Sequence, residues 1–306
     1  MLESDIRARL GRLPKGLTGV YDEILTSIKS QPNRNLDLAK SALKWMLVSE
    51  RPLKPKGLVA AALLNPSIPP DSPAPLKESA LPVELLIQSC AGLLLLDTTL
   101  DVVRFSHLSV QEYLETRNDI WDVTITDAQL FVSESCLWTL QSTLELPLYE
   151  YAALNWFKHC RSYQNLVLAV VNTRDITHEL SIPLLNSFLG SFEQASTRYS
   201  RWADWVGINV SEYDSNCLYC IRSTPLCPVF SAAFAGLGEL LSWLWNSEGY
   251  DMKVNNDSGD SLLAVASEHG TAWIVAKMLE GGFQVSDLQY PLICATVESR
   301  YKKPPI

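Results

Sequence analysis

The sequence predicts a mainly α-helical chain in four successive parts, with one short β-hairpin inside the second. Three observations carry that expectation. Apolar residues recur at helical spacing through most of the 306 residues. Two short apolar runs flank a polar corner at Asp97-Thr98-Thr99. Residues 216–306 repeat themselves at an offset of 34 residues, the mark of stacked units.

Residues 1–34 read as a helix, a break and a second helix. "SDIRARLGRL" stops at Pro14-Lys15-Gly16, and "LTGVYDEILTSIKS" restarts with Leu17, Val20, Tyr21, Ile24, Leu25 and Ile28 on one face. Pro32 and two asparagines close it. The second part, 35–125, opens with "LDLAKSALKWMLVSE", which Asn35 can cap and whose Leu36, Ala39, Leu43 and Leu47 form a stripe flanked by Ala42 and Met46. Pro52 keeps the residue before it extended, and Pro55 suits the first turn of "PKGLVAAALL". The Pro- and Ser-rich residues 65–79 read as an exposed loop. "LPVELLIQSCAG" is then a short apolar helix stopped by Gly92.

The hairpin follows. Leu93-Leu94-Leu95-Leu96 leads into the polar corner, and Asp101-Val102-Val103-Arg104-Phe105 returns. Three helices followed by a hairpin is the winged-helix order, with the hairpin as wing and "VQEYLETR" as the helix beyond it. Residues 126–215 read as wholly helical, in "DAQLFVSESCLWTLQS", "PLYEYAALNWFKHC" and "IPLLNSFLGSFEQA", with Pro147 and Pro183 near helix starts. Trp138, Trp156, Trp202 and Trp205 are expected to anchor the core there.

In the last part, "CPVFSAAFAG" aligns with "SLLAVASEHG", placing Ala232 on Ala266 and Gly236 on Gly270. "YPLICATVES" starts a third copy before the sequence stops. Each copy offers a turn, a helix with a small Ala, a Gly, and an apolar second helix ("ELLSWLW", "WIVAKMLEGG"). Such a unit cannot bury its apolar face alone and must stack on neighbours.

Composition narrows the function classes. The net charge of −9 is uneven: residues 1–125 sum to −1 and the remainder to −8. A protein that grips nucleic-acid phosphates needs a basic face, so that role is disfavoured. "MLESDIRARLGRLPKG" lacks the apolar core of a signal peptide, and "LLIQSCAGLLLLDTTL" is too short for a membrane span. Seven irregularly spaced cysteines suit a reducing, cytoplasmic setting. Cys217 and Cys220, with Cys227 nearby, make one CxxC; with no second ligand pair they read as buried thiols, and no metal site is expected.

The repeats resemble degenerate ankyrin repeats. Where ankyrin favours Thr-Pro-Leu-His, the chain has Cys227-Pro228-Val229-Phe230 and Ser261-Leu262-Leu263-Ala264, and Tyr290-Pro291-Leu292 comes closer. "LPKGLTGVYDEIL", "ALKWMLVSERPL", "CAGLLLLD", "VRFSHLSVQEYL" and "YAALNWFKHCR" occur in an order that resembles fungal NACHT–ankyrin proteins, which are STAND-type and NLR-like, just after their NACHT domain. The resemblance implies a division into residual NACHT helices at 1–34, a winged-helix domain at 35–125, a helical linker at 126–215 and a short ankyrin-type stack at 216–306. The sequence contains no GxxxxGK[ST] stretch, so the nucleotide-binding module is expected to lie elsewhere and the chain to be a fragment or a degenerate relative. The expected role is non-catalytic: coupling nucleotide state to protein partners on the ankyrin surface, with no resident cofactor, nucleic acid or membrane. A NACHT-type domain would then act in trans.

One candidate site residue stands out. In "RFSHLSVQEYLETR", Ser109 and Glu112 match an S-x-x-E capping box, which leaves His107 in the tight link between wing and helix. From the residues alone, His107 packs at that corner against a nearby carbonyl. The family resemblance implies another role through Phe105, His107 and Ser109: a histidine that contacts the ADP phosphate and holds the winged helix on the nucleotide domain. Three other classes remain. A DNA-binding regulator would read with "LPVELLIQSCAG", but this carries Glu84 and neither Lys nor Arg. A stand-alone ankyrin adaptor would need only the stack. An enzyme would have to use residues such as Glu145, Asp175 and His178, which sit in polar stretches and read as solvated surface.

Overall fold

Helix α1 (Leu17–Lys29) starts where Gly16 takes a left-handed φ of 105°. The structure is a computed structural model that describes residues 16–70, 81–116, 121, 123–143, 146–170, 182–190, 195–210, 228–237, 255, 259, 261–269, 272–280 and 282. These residues are mainly helical. The chain divides into two compact units, residues 1–135 with 144–148, and residues 136–143 with 149–306.

In the first unit α1 is followed by α2 (Asn33–Val48), α3 (Pro55–Leu63), α4 (Val83–Ser89), an antiparallel hairpin of β1 (Leu94–Asp97) and β2 (Val102–Phe105), and α5 (Leu108–Thr116). Helix α2 begins two residues before Asn35, with Pro32 at the cap and its carbonyl accepting from the Asn35 and Leu36 amides. Proline has no N–H to leave unpaired there, and its fixed φ leads the chain into the helix. Asn35 stays exposed in the first turn and is not the cap.

Helix α2 packs against α1, α3, α4 and α5. It therefore buries more than a stripe: Leu38, Trp45 and Val48 go inside with Ala39, Ala42, Leu43 and Leu47, while Leu36 is only half-buried. Trp45 is fully buried. On α1 the covered face is narrower than its apolar spacing predicts. Tyr21, Leu25 and Ile28 are buried, but Leu17 is 55% and Val20 37% exposed.

Pro55 does sit in the first turn of α3. Before it, the chain is extended at Lys54, and the Leu53 carbonyl accepts from Val103 of β2 at 3.1 Å. Helix α4 ends at Ser89 rather than running to Gly92, because Ala91 (φ 49°) and Gly92 (φ 86°) are both left-handed and turn the chain into β1. The hairpin pairs Leu94 with Phe105 and Asp97 with Val102. Its corner is held by the Asp97 carboxylate, which accepts from the Thr99 and Leu100 amides and meets the Arg104 guanidinium at 3.1 Å. Those bonds, that of Leu100 foremost, hold the Asp97 carboxyl below its ordinary range.

The second unit takes the end of α6 (Ile125–Gln141) together with α7 (Tyr149–Val170), α8 (Ile182–Leu189) and α9 (Thr197–Asn209). Trp138, Trp156 and Trp202 are fully buried, as the sequence leads one to expect, whereas Trp205 is half-buried and edge-on to Tyr149. Trp156 meets Phe188 and Trp202 edge-to-face at 5.2 and 5.6 Å, a favoured aromatic geometry. The Trp202 indole N–H donates to the Ala153 carbonyl at 2.9 Å. Arg201 closes the end of α6 by donating to the Leu140 and Ser142 carbonyls.

Two further helices, α10 (Pro228–Ala235) and α11 (Leu262–His269), pack on each other, and α11 packs on α12 (Ala272–Glu280). Ala232 and Ala266, paired by the sequence offset, are both fully buried. Ser261 caps α11, its hydroxyl accepting from the Ala264 amide at 3.1 Å. Helix α10 ends in a Schellman motif: the Leu237 amide reaches the Ala232 carbonyl and the Gly236 amide that of Ala233, with Gly236 at φ 72°. "ELLSWLW", the third copy from Tyr290, Gly270 and the Cys217, Cys220 and Cys227 group lie outside the described residues.

Helix α7 reaches this end directly. Arg161 Nε donates to the Ala235 carbonyl at 2.9 Å, and a Cβ on Gly236 would lie 2.8 Å from that same nitrogen. Replacing Gly236 by alanine is therefore expected to strain the left-handed turn and displace Arg161. Stability of the second unit should fall by about 1–2 kcal/mol, read as faster hydrogen exchange of the α10 amides. Unchanged exchange would contradict this account of the turn.

Candidate functional site

The link from β2 to α5 is two residues long, Ser106 and His107. The Ser106 amide donates to the Leu93 carbonyl at 2.9 Å, which closes the open end of the hairpin. Helix α5 then starts at Leu108, and its first turn needs acceptors for amides that have no partner within the helix. His107 supplies two. Its carbonyl accepts from Val110 at 3.1 Å, and its Nδ1 accepts from the Ser109 amide, also at 3.1 Å. The cap is thus His107 itself.

This replaces the capping box expected at Ser109 and Glu112. Ser109 lies inside the first turn, and its hydroxyl is turned elsewhere: Oγ is 2.7 Å from His107 Nδ1 and 2.7 Å from the Tyr21 hydroxyl of α1. Tyr21 is held in turn. Its ring packs at 5.1 Å on Tyr113 of α5, and the Tyr113 hydroxyl donates to the Asp22 carboxylate next to Tyr21 in sequence. Two side chains of α5, Ser109 and Tyr113, thereby meet two consecutive residues of α1, and Ser109 links them to His107. Tyr21 and Tyr113 are buried, Ser109 is half-buried, and His107 is exposed.

Tyr21 enters the sequence reading only as part of an apolar face, and Asp22 and Tyr113 do not enter it at all. The available signal was chemical: a tyrosine on a buried face needs a partner for its hydroxyl. Its partner lies 88 residues away, and that of Tyr113 91 residues away. Spacing rules do not reach so far.

Beside the corner lies an open groove of about 350 Å³. Met46, Pro52, Leu53, Phe105 and Leu108 give it an apolar lining, and Glu50, Arg51 and Arg104 add charge of both signs. Leu108, the residue after His107, is 66% exposed.

Several other titratable groups are buried. In the second unit His159 is fully buried in α7, with Nε2 2.8 Å from the Tyr151 hydroxyl and the two rings stacked. Burial, with a smaller contribution from Lys158, pushes its pKa down to about 3. Buried Cys90 is pushed up to about 12, and burial raises Cys136, with a smaller push from Cys160. These thiols stay protonated and are poor nucleophiles. In the first unit, burial lowers Lys44, offset chiefly by the charge of Asp127, and raises Glu134, offset by Lys44, and the Lys44 ammonium sits 5.0 Å from the Phe131 ring centre.

Among the described residues no group of three His, Cys, Asp or Glu could hold a metal ion, and no helix is long and apolar enough to cross a membrane. Glu145, Asp175 and His178 lie outside the described residues. Comparison of the chain with family models, with curated proteins and with solved structures gives no match.

His159 gives the second unit a defined acid response. Its folded pKa lies below the unfolded value of about 6.5, so the unfolded chain takes up a proton that the folded chain refuses. The stability tied to its neutral form is complete above that value and is lost as pH falls towards the folded pKa, by up to ~1.4 kcal/mol per pH unit. Thermal unfolding of the full chain between about pH 6 and pH 4 should show this slope. His159→Gln, which keeps an acceptor for Tyr151, should flatten it; an equal slope in both proteins would refute the assignment.

Proposed function

We propose that the chain is a non-catalytic interaction and regulatory module of the NACHT–ankyrin type. In this reading residues 35–125 act as a winged helix that docks on a nucleotide-binding domain, and residues 216–306 present an ankyrin-type surface to protein partners. The helical segment 126–215 serves as the end cap of that short stack. The observation that carries the reading is the exposed, anchored imidazole of His107 at the corner between hairpin and α5.

The physical case rests on charge and geometry. A neutral imidazole can donate one hydrogen bond to a phosphate oxygen. The amino end of α5, with its partial positive charge, favours an anion at the same place. Held by Ser109, the ring needs little further ordering to meet a phosphate, so less conformational entropy is lost on contact. Support for the stack comes from burial: α10 and α11 pack together through a unit that cannot stand alone, and α7 closes the carboxyl end of α10 through Arg161. A DNA-reading role finds less support, since α4 carries Glu84 and no basic residue.

The test is association with an ADP-loaded NACHT domain, measured as the Kd with and without ADP. His107→Ala should weaken the ADP-dependent complex about 10-fold or more, as expected for the loss of a hydrogen bond to a charged group. The ADP-free Kd should stay the same. Equal ADP dependence in the variant and the unsubstituted chain would overturn the role given to His107.

A further inference from the structure

The bonds around His107 have a direction, and following it assigns roles to two more residues. A backbone amide can only donate, so the Ser109 N–H at 3.1 Å requires a lone pair on Nδ1. In the neutral ring the proton then belongs to Nε2. The Ser109 hydroxyl, 2.7 Å from the same Nδ1, must also donate to it, which commits the one proton that this hydroxyl has. The Tyr21 hydroxyl, 2.7 Å from Ser109 Oγ, is left as the donor to that oxygen. A one-way chain results, from Tyr21 through Ser109 to Nδ1. Nε2 has no partner among the described residues, and the side chain is exposed.

We propose that Ser109 and Tyr21 are positioning residues that lock neutral His107 as its Nε2–H tautomer, so that the corner always offers one N–H donor to an incoming acceptor. The proposal deepens the reading above and rests on it for the identity of that acceptor, a phosphate oxygen. With the other tautomer, Nε2 would present a lone pair, which repels a phosphate. The Ser109 amide, which can only donate, disfavours that state, and the Ser109 hydroxyl, directed by Tyr21, adds a second donor to the same nitrogen. Tyr21 is buried and Ser109 half-buried, so their contact is partly shielded from water, which strengthens a hydrogen bond.

The experiment reads the tautomer directly. Long-range proton–nitrogen correlation spectra of the ¹⁵N-labelled full chain, taken near ~pH 8.5 so that ordinary histidines are neutral, resolve the ring nitrogens. His107→Ala identifies the His107 signals. Nδ1 should be unprotonated and Nε2 protonated. Ser109→Ala should move Nδ1 towards the exchange-averaged position, Tyr21→Phe should do so to a smaller extent, and Ser109→Thr should restore the original pattern. Tyr21→Phe keeps the aromatic packing, so it reports on the hydroxyl even if Ser109→Ala disturbs the fold. In the association assay, Ser109→Ala should raise the Kd for the ADP-loaded domain about 2- to 10-fold. A protonated Nδ1 in the unsubstituted chain, or signals unmoved by both variants, would overturn the proposal. The two readings fail separately: ADP dependence insensitive to His107 strikes the phosphate contact, whereas the spectra alone decide the tautomer.

Discussion

The unpaired amides at the start of α5 impose the constraint on which the corner of the first unit depends. A hairpin must pass into a helix within two residues, and the first turn of that helix must find acceptors. His107 meets the need with its carbonyl and its Nδ1, which fixes both the start of the helix and the orientation of the ring. Ser109, relieved of capping, turns its hydroxyl to the ring and to Tyr21. The tyrosine pair and Asp22 then fasten α1 to α5. A local requirement for hydrogen bonds thus becomes a tertiary clasp, and the clasp leaves one polar edge of one imidazole facing solvent.

Much of the first unit is legible in the sequence because its signals are local. The hairpin follows from two short apolar runs around Asp97, and the start of α3 from Pro55; both are found where spacing puts them. Helix α2 shows where local reading fails. A stripe of Leu36, Ala39, Leu43 and Leu47 assumes a helix covered from one side, but α2 is covered by four other helices and buries Leu38 and Trp45 as well. Periodicity tells which residues share a face, not how many neighbours the helix has. The capping box failed for a related reason: S-x-x-E fits any helix start, and choosing among cap candidates needs the chain path into the helix, which here offers His107 first.

In the second unit the recurrence of Ala232 at Ala266 is a packing requirement. Both alanines are fully buried, in helices α10 and α11 that pack on each other. An apolar helix of this length holds only if its other sides and its ends are also closed. Aromatic burial between α7, α8 and α9 supplies a rigid support, with Trp156 in contact with Phe188 and Trp202. Arg161 closes the end of α10 at the one place where Gly236 leaves room for it. Helix α10 is thus tied to α7 as well as to α11, and its carboxyl end is closed by a side chain from outside the helix pair.

The two described histidines with hydrogen-bonded rings show how burial separates a structural group from an available one. His159 is enclosed, bonded to Tyr151 and pushed to a pKa of about 3, so it stays neutral over the ordinary pH range and its bonding capacity is directed inwards. The same force acts on the other buried groups, raising the thiols of Cys90 and Cys136 and the carboxyl of Glu134 and lowering Lys44. Low dielectric surroundings disfavour charge whatever its sign, and such groups give the interior shape rather than reactivity. His107 is held by hydrogen bonds from one side only and left in water on the other. Anchoring a ring in this way restricts its motion, and that restriction is useful where the outward edge meets a partner, because the entropy lost on contact is then small.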